Sequence, residues 1–336
     1  MERQGMTGSG WTPGRLVELS GSYWQVCALH AAVKIGIFSS IGRRRLKARD
    51  IAHRCGCAVG SLTRLLNALT AMGLLEKDGD AFTSTPPAHR FLSRSSDQYL
   101  GHIILHHHQL MPSWCALDRA VKTGRPIRER AAHGDEEKRA SFIMGMFNIA
   151  MNTAPKLVPL VDLTGRRHVL DLGGGPGTYA IHFCQAYPEL RATVFDLSAT
   201  RPFAEKTIAR CNLTDRISFR DGNYLKDDIG GGYDVAWLSH ILHAESPADC
   251  QKIIDKAVTA LVSGGVIVVH DFILNDDMAG PLFPALFSLN MLLGTRAGRS
   301  YSERQITEML ARSGATNIHR IAFDSPNDSA LITGTA

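Results

Sequence analysis

Val169-Leu170-Asp171-Leu172-Gly173-Gly174-Gly175-Pro176-Gly177 is the stretch that decides the fold. His168 to Leu172 is a short apolar strand with an acid near its end, a glycine-rich turn follows, and the apolar run Tyr179 to Phe183 starts a helix. Strand, tight turn and helix start form the unit that holds a nucleotide-like ligand at the carboxyl edge of a sheet. Glycine is needed there because a Cβ would keep the backbone away from the ligand, and because some of these positions demand a positive φ. Spacing then separates two ligand classes. A dinucleotide turn reads G-x-G-x-x-G and aims a helix N-terminus at a pyrophosphate. Here the order is D-x-G-x-G-x-G, with Thr178 where the third glycine of the dinucleotide pattern would fall. Further on, Val194-Phe195-Asp196 ends the next strand with a second acid, placed to accept hydrogen bonds from both hydroxyls of a ribose.

This pair of motifs resembles the first motifs of class I S-adenosylmethionine (SAM) methyltransferases, whose ligand carries no phosphate. The resemblance implies a SAM site built from Asp171, Gly173, Gly175 and Gly177, from Asp196 and Leu197, from Gly222-Asn223-Tyr224, and from Ser239.

Working outward, 336 residues are enough for two cores, since single cores stop growing near about 250 to 300 residues. Hydrophobic residues at 44% and charged residues at 21% describe a globular chain without long disorder. No apolar run approaches the ~20 residues of a membrane span. Met1 to Gly10 has neither the basic nor the apolar region of a secretion signal, so a cytoplasmic location with no membrane partner is expected. The seven cysteines (Cys27, Cys55, Cys57, Cys115, Cys184, Cys211, Cys250) are an odd number without a secretory leader and are expected as reduced thiols. Cys55-x-Cys57 lacks a second ligand pair at zinc-finger spacing, and no metal is expected. The net charge of +5 is concentrated in Arg43-Arg44-Arg45, Lys47, Arg49 and Arg54, a pattern shared by solvated helix ends and nucleic-acid footprints.

Residues 1–12 read as a flexible tail. From Pro13 apolar positions recur at helical spacing up to Gly36 or Gly42. Ala48 to Arg54 predicts a short helix stopped at Gly56, and Ser61 to Met72 a second with Leu62, Leu65, Leu66 and Leu69 on one face. Leu74 to Phe82, with Asp78-Gly79-Asp80 at its centre, predicts a hairpin. A helix-turn-helix followed by a hairpin wing makes 13–96 a winged-helix domain. Such a domain serves transcriptional regulators, so a winged-helix regulator with a SAM-type ligand domain is the rival reading. Only Arg64 is a strong base reader on the second helix, with Ser61, Thr63 and Asn67 as lesser ones, and the other face is Leu-rich. Dimerisation without specific nucleic-acid binding is therefore expected.

Residues 97–163 predict a helical bridge with stops at Pro112, Gly124-Arg125-Pro126 and Pro155. His106-His107-His108 span about 200° of a helix, so one of them faces inward. Phe142, Met144, Met146, Phe147 and Met151 serve either as core filler or as an adaptable lining for flat aromatic ligands. Over 164–336 strands and helices alternate as a doubly wound parallel sheet requires. Strands are expected at His168–Leu172, Thr193–Asp196, Ile217–Arg220, Asp234–Ser239 and Val266–Asp271, with a helix over Gln251–Leu261. Asn317 to Ala322 and Ala330 to Thr333 are strand-like runs too close together for a helical crossover, so they must be antiparallel. The fold class is α/β: a Rossmann-like methyltransferase domain, parallel with an antiparallel last strand, behind a helical winged-helix domain.

Across nearly its whole length the chain resembles the small-molecule O-methyltransferases that include the acetylserotonin and caffeate enzymes. That resemblance implies a homodimer through the winged-helix domain and a small aromatic or heteroaromatic substrate, with N- or C-methylation as alternatives on the same fold. It places the general base in Asp234 to His243, at His243 with His240 as the other candidate, and the carboxylate that orients it at Asp271. His240, Phe147, Met151, Asn290 and Met291 fall where the family's acceptor pocket lies. Three positions depart from the family pattern: Ala244-Glu245 replaces an Asp-Trp pair, Asn223 replaces an adenine-contacting acid, and Ser300 stands where plant enzymes carry a second carboxylate.

Overall fold

The computed structural model describes residues 10–129, 136–321, 323–325 and 327–336. Most of the expected tail, and Ala322 at the end of an expected strand, lie outside the described residues. The chain divides into two compact units between His108 and Gln109. No described helix is long and apolar enough to cross a membrane.

In the first unit the hydroxyl of Thr12 accepts from the Arg15 N–H (3.3 Å) and caps the helix Pro13–Gly21. Gly36 and Gly42 both end helices, Tyr23–Ile35 and Ile37–Ile41, and both have positive φ (82° and 60°). The helix-turn-helix is Ala48–Cys55 and Val59–Ala71, with left-handed Gly56 between them. Leu62, Leu66 and Leu69 are buried with Phe38, Ile51 and Phe82, while Leu65 packs at the margin of that core. The wing has three strands, β1 (Leu46–Lys47), β2 (Leu75–Asp78) and β3 (Ala81–Ser84), in the order β1-β3-β2. A two-residue strand among arginines carries no periodicity, so β1 has no signal in the sequence. Of the histidine tract, His106 is buried, His107 exposed and His108 half-buried, its Nε2 3.2 Å from Lys34 Nζ.

Pro112 and Pro155 do not stop helices. Each lies inside one, Gly101–Trp114 and Glu136–Leu157, two residues before its end. A proline in the last turn removes only its own N–H, and the helix is abandoned before further bonds are lost. Left-handed Gly124 does end Leu117–Thr123.

The second unit is built on a sheet of β4 (His168–Leu172), β5 (Arg191–Asp196), β6 (Ile217–Asp221), β7 (Tyr233–Ser239), β8 (Leu261–Leu274), β9 (Tyr301–Ser302), β10 (Thr316–Ile321) and β11 (Ser329–Thr335). Its order is β10-β11-β8-β7-β4-β5-β6, with β9 beside the end of β8. Strands β4 to β8 pair in parallel, and β11 is antiparallel to both β8 and β10. β8 begins at Leu261, so the expected helix Gln251–Leu261 instead runs Pro247–Thr259, capped by Ser246, whose hydroxyl accepts from the Asp249 N–H.

Alternation along β4 sends Leu170 and Leu172 into the core on one face of the sheet and Val169 into that on the other. On the second face fully buried Trp237 meets the rings of Tyr179 (5.1 Å) and Phe183 (5.0 Å). Parallel registry then aligns the strand ends: Leu172 opposite Phe195, Asp196 opposite Asp221, and Ser239 opposite His270. Every residue proposed for the cofactor site lies along that one edge or in the loops leaving it.

Candidate active site

The turn after β4 has φ of 68°, 56° and 74° at Gly173, Gly175 and Gly177. Gly174 is needed for a different reason: a Cβ there would stand 2.5 Å from the Asp171 carboxyl carbon. Around Gly175 a Cβ would meet nothing within 4 Å, so this is the open side of the turn. Asp171 is buried (1% exposed), its Oδ2 accepting from the Ala180 N–H (3.3 Å) at the start of the next helix. Its Oδ1 has no partner among the described residues. Burial pushes this carboxyl up to about 7, against the pull of the Ala180 N–H and helped by nearby Asp196.

Asp196 accepts from the Gly175 N–H (2.7 Å) on Oδ2, and from the Leu197 N–H (2.6 Å) and the Thr200 hydroxyl (3.3 Å) on Oδ1. A carboxylate offers about four lone-pair directions, so one stays open to a ribose hydroxyl and a second opens if Thr200 turns away. Gly222 packs where a Cβ would run into the ring of Phe195. The Asn223 side-chain carbonyl accepts from the Leu225 N–H (2.9 Å), which leaves it one lone pair for an adenine amino group. The Tyr224 hydroxyl donates to Glu245 (2.9 Å), and Ser239 shares a 2.9 Å hydrogen bond with His270 Nδ1. Burial, with His240 beside it, drives fully buried His270 well below the usual imidazole range against the opposing Asp271, so this ring is neutral.

Beyond β7 the chain passes through His240, at φ 57°, a left-handed conformation uncommon for a residue with a Cβ. It then forms the short 3₁₀ turn Leu242–Ala244, which the Cys250 thiol ties down by donating to the Leu242 carbonyl (3.1 Å). That turn sets His243 Nδ1 2.6 Å from Asp271 Oδ1, and Asp271 also accepts from the His243 N–H (3.2 Å) and the Phe272 N–H (2.8 Å). His240 Nδ1 lies 3.5 Å from the same Oδ1, close enough for charge pairing but long for a strong hydrogen bond. Burial alone would raise the Asp271 carboxyl, yet the imidazoles of His243 and His240 outweigh it and hold it well below the usual carboxylate range. With Nδ1 engaged, His243 Nε2 is the nitrogen left to take a proton.

His240, His243 and Asp271 offer ligand atoms within 4.8 Å of one another. Two ligands of one tetrahedral zinc sit about 3.3 Å apart, given bonds of about 2.0 Å. The 2.6 Å separation of His243 and Asp271 is that of a shared proton.

An aromatic wall surrounds the pair. Phe272 lies 5.8 Å from the His243 ring and nearly parallel to it, Phe287 meets it edge-on at 4.7 Å, and Phe283 is 5.0 Å from Phe272. Phe283, Phe287, Asn290 and Gly294 recur at helical spacing on Leu282–Gly294 and share a face. Asn290 is half-buried there and Met291 buried. Phe147 is half-buried and Met151 36% exposed on Glu136–Leu157, which packs on Thr178–Ala186. Buried Ser300 donates to the Pro284 carbonyl (2.8 Å), fixing the start of the Phe283 helix where a second carboxylate was sought. Sequence reasoning missed Arg128 and the three phenylalanines, although the Phe283/Phe287 spacing carried a signal.

An open turn between two strand-end acids fits SAM, with room for a ligand beside Gly175. Comparison with known proteins agrees. Residues 114–316 match the O-methyltransferase domain family and residues 17–94 the O-methyltransferase dimerisation domain family. The chain is 32% identical to a 3-hydroxy-5-methyl-1-naphthoate 3-O-methyltransferase of Streptomyces sahachiroi, over 96% of this chain and 95% of that one. It is 30% identical to the N,N-dimethyltransferase OxyT of Streptomyces rimosus, over 86% and 87%. The solved structure of PigF with SAH superposes with a TM-score of 0.87 at 27% identity, covering 97% of this chain and all of that one (100%). With the Rossmann-like sheet, the glycine turn and both domain matches in one chain, this protein belongs to the SAM-dependent O-methyltransferases.

Proposed function

We propose that this methyltransferase acts on a hydroxyl of a small aromatic or heteroaromatic compound, with His243 as general base and Asp271 orienting it. The observation that carries this reading is the 2.6 Å His243–Asp271 bond, buried beside Phe272 and Phe287 at the sheet edge that bears the glycine turn. Bound SAM supplies an activated methyl group on its sulfonium. The chain has two tasks left. Asp171, the turn glycines, Asp196, Leu197, Gly222, Asn223, Tyr224 and Ser239 hold the donor, and the phenylalanines align a flat acceptor, with His240, Phe147, Met151, Asn290 and Met291 completing its pocket. A phenol of pKa about 10 is a poor nucleophile at neutral pH, so His243 Nε2 takes its proton as the methyl moves, and the Asp271 carboxylate stabilises the imidazolium.

The naphthoate enzyme supports an aromatic hydroxyl as acceptor, while OxyT supports nitrogen as the second reading. Incubation with SAM and a matched set of phenols and anilines, with products read by mass spectrometry, separates the two. Methylated anilines with untouched phenols would overturn the first reading.

We further propose domains at 13–96, 97–163 and 164–336 and a homodimer formed through the first. Trp11, Leu16, Val17, Leu19, Tyr23 and Trp24 are more than half exposed around the first two helices, apolar surface that a monomer leaves in water. Specific nucleic-acid binding is not part of this reading. Thr63 donates to the Val59 carbonyl of its own helix (2.7 Å), Asn67 accepts from Lys77 (2.8 Å), and Arg45 and Lys47 pair with Asp78 and Asp80 of the wing. Light scattering should give a dimer, and a monomer that footprints DNA at physiological salt would favour the regulator.

A further inference from the structure

The acid–base pair does not account for Arg128. Its Nη2 donates to Asn290 Oδ1 (2.8 Å) and to the Asn290 carbonyl (3.1 Å), and its Nη1 donates to the Ser113 hydroxyl (3.0 Å). The N–H groups of Ile127 and Arg128 both donate to the Leu293 carbonyl (2.9 and 3.1 Å), tying this segment to the last turn of the Phe283 helix. Gly294 makes room for it, since a Cβ there would stand 2.9 Å from the guanidinium. All three side-chain contacts are to neutral oxygens, and among the described residues no carboxylate lies within ion-pair distance. Burial lowers the guanidinium to about 10, which leaves it charged at neutral pH.

A guanidinium only donates, so the Asn290 amide must present its oxygen to Arg128 and turn Nδ2 the other way. Nδ2 has no hydrogen bond among the described residues and is not sealed from its surroundings. Asn290 stands three residues beyond Phe287, whose ring meets His243, and three residues advance about 4.5 Å along a helix. That is close to the width of one aromatic ring. A substrate whose hydroxyl faces His243 Nε2 therefore offers its far edge to the amide N–H of Asn290, backed by a cation with no carboxylate partner among the described residues.

We infer that the acceptor carries a carbonyl or carboxylate oxygen on the far edge of its ring system, and that Arg128 is a positioning residue that selects it by fixing the Asn290 amide. This rests on the proposed acceptor site beside His243. The test uses 3-hydroxyacetophenone, 3-hydroxybenzoate and 3-methylphenol, measured both as substrates with SAM and as ligands of the SAH-loaded protein by calorimetry. The parent should favour the two oxygen-bearing compounds over 3-methylphenol by about tenfold in KM and in Kd, the upper end of what one hydrogen bond contributes. Their relative rank tells carbonyl from carboxylate. Arg128→Met frees the amide to flip and should bring the preference to near unity while kcat on 3-methylphenol stays within about threefold, and Arg128→Lys should restore part of it. Asn290→Asp keeps the Arg128 contact but removes the donor, and should abolish the preference even if Arg128→Met does not fold. Equal binding of all three compounds by the parent, or a preference that survives Asn290→Asp, would overturn the inference. Calorimetric discrimination without methyl transfer would leave it standing and count against the His243 reading alone.

Discussion

Asp171 and Asp271 are both buried, 1% and 2% exposed, and both lie on strands of the same sheet, yet their carboxyls move in opposite directions. Burial lifts Asp171 to about 7, and among the described residues a single backbone N–H at 3.3 Å opposes it. Asp271 feels the same burial but faces two imidazoles and two backbone N–H groups, and it is held well below the ordinary range. Burial sets the direction of the default shift, and the partners a strand end meets decide whether it survives. Asp171 meets only a backbone donor among the described residues, whereas Asp271 is joined to His243 through its side chain.

The largest effect expected from this contrast is on turnover. His243→Ala should lower kcat by about 10² to 10⁴, the size of a general-base contribution, with SAM affinity by calorimetry unchanged. Asp271→Asn should lose less, since the imidazole remains but its tautomer is unsupported. A fully active His243→Ala on a phenol of pKa about 10 would shift the role of base to His240 or show that alignment alone suffices.

Stability tests the comparison directly. A carboxyl raised on folding contributes stability that is complete below its unfolded value and lost as pH rises through its folded one. For Asp171, with a folded value of about 7, the loss above neutrality is on the order of 4 kcal/mol. Asp171→Asn should therefore raise the melting temperature of the cofactor-free protein progressively from pH 5 to pH 8. For Asp271 the sign reverses: its contribution is present above the ordinary carboxylate value and lost only as pH falls below it. Asp271→Asn should destabilise across the same window by about 3 to 5 kcal/mol, as removal of one partner of a buried pair does. Melting curves that moved the same way for both variants at pH 8 would break the contrast.

A smaller effect is expected at Asp196. Asp196→Ala should weaken SAM by about 1.5 to 3 kcal/mol per charged hydrogen bond lost, measured calorimetrically. The smallest is none: EDTA should leave turnover unchanged, because the Asp271–His243 contact is proton-bridged, and activity restored by added zinc would refute that.

How much of this was legible in the sequence follows the same division. The turn, both strand-end acids and every strand from β4 to β8 could be placed because each is a local pattern: an apolar run, a glycine stop, an acid at a fixed offset. His243 and Asp271 were reached through resemblance, since nothing in the sequence says that residues 28 apart will sit 2.6 Å apart. Arg128 and Asn290 are 162 residues apart, and no periodicity connects them. Pro112 and Pro155 misled because proline's cost depends on how many turns follow it, which local sequence does not state.

The placement of β11 bears on how the molecule is made. It fills the slot between β8 and β10, setting Ala330 opposite Asp271, while Ser329 reaches the His270 ring at 3.1 Å. During synthesis β8 therefore emerges about 60 residues before β11, with an open edge of unpaired peptide groups beside Asp271. A nascent chain halted before Ser329 should therefore hold the glycine turn while the proposed acid–base pair lacks its outer support.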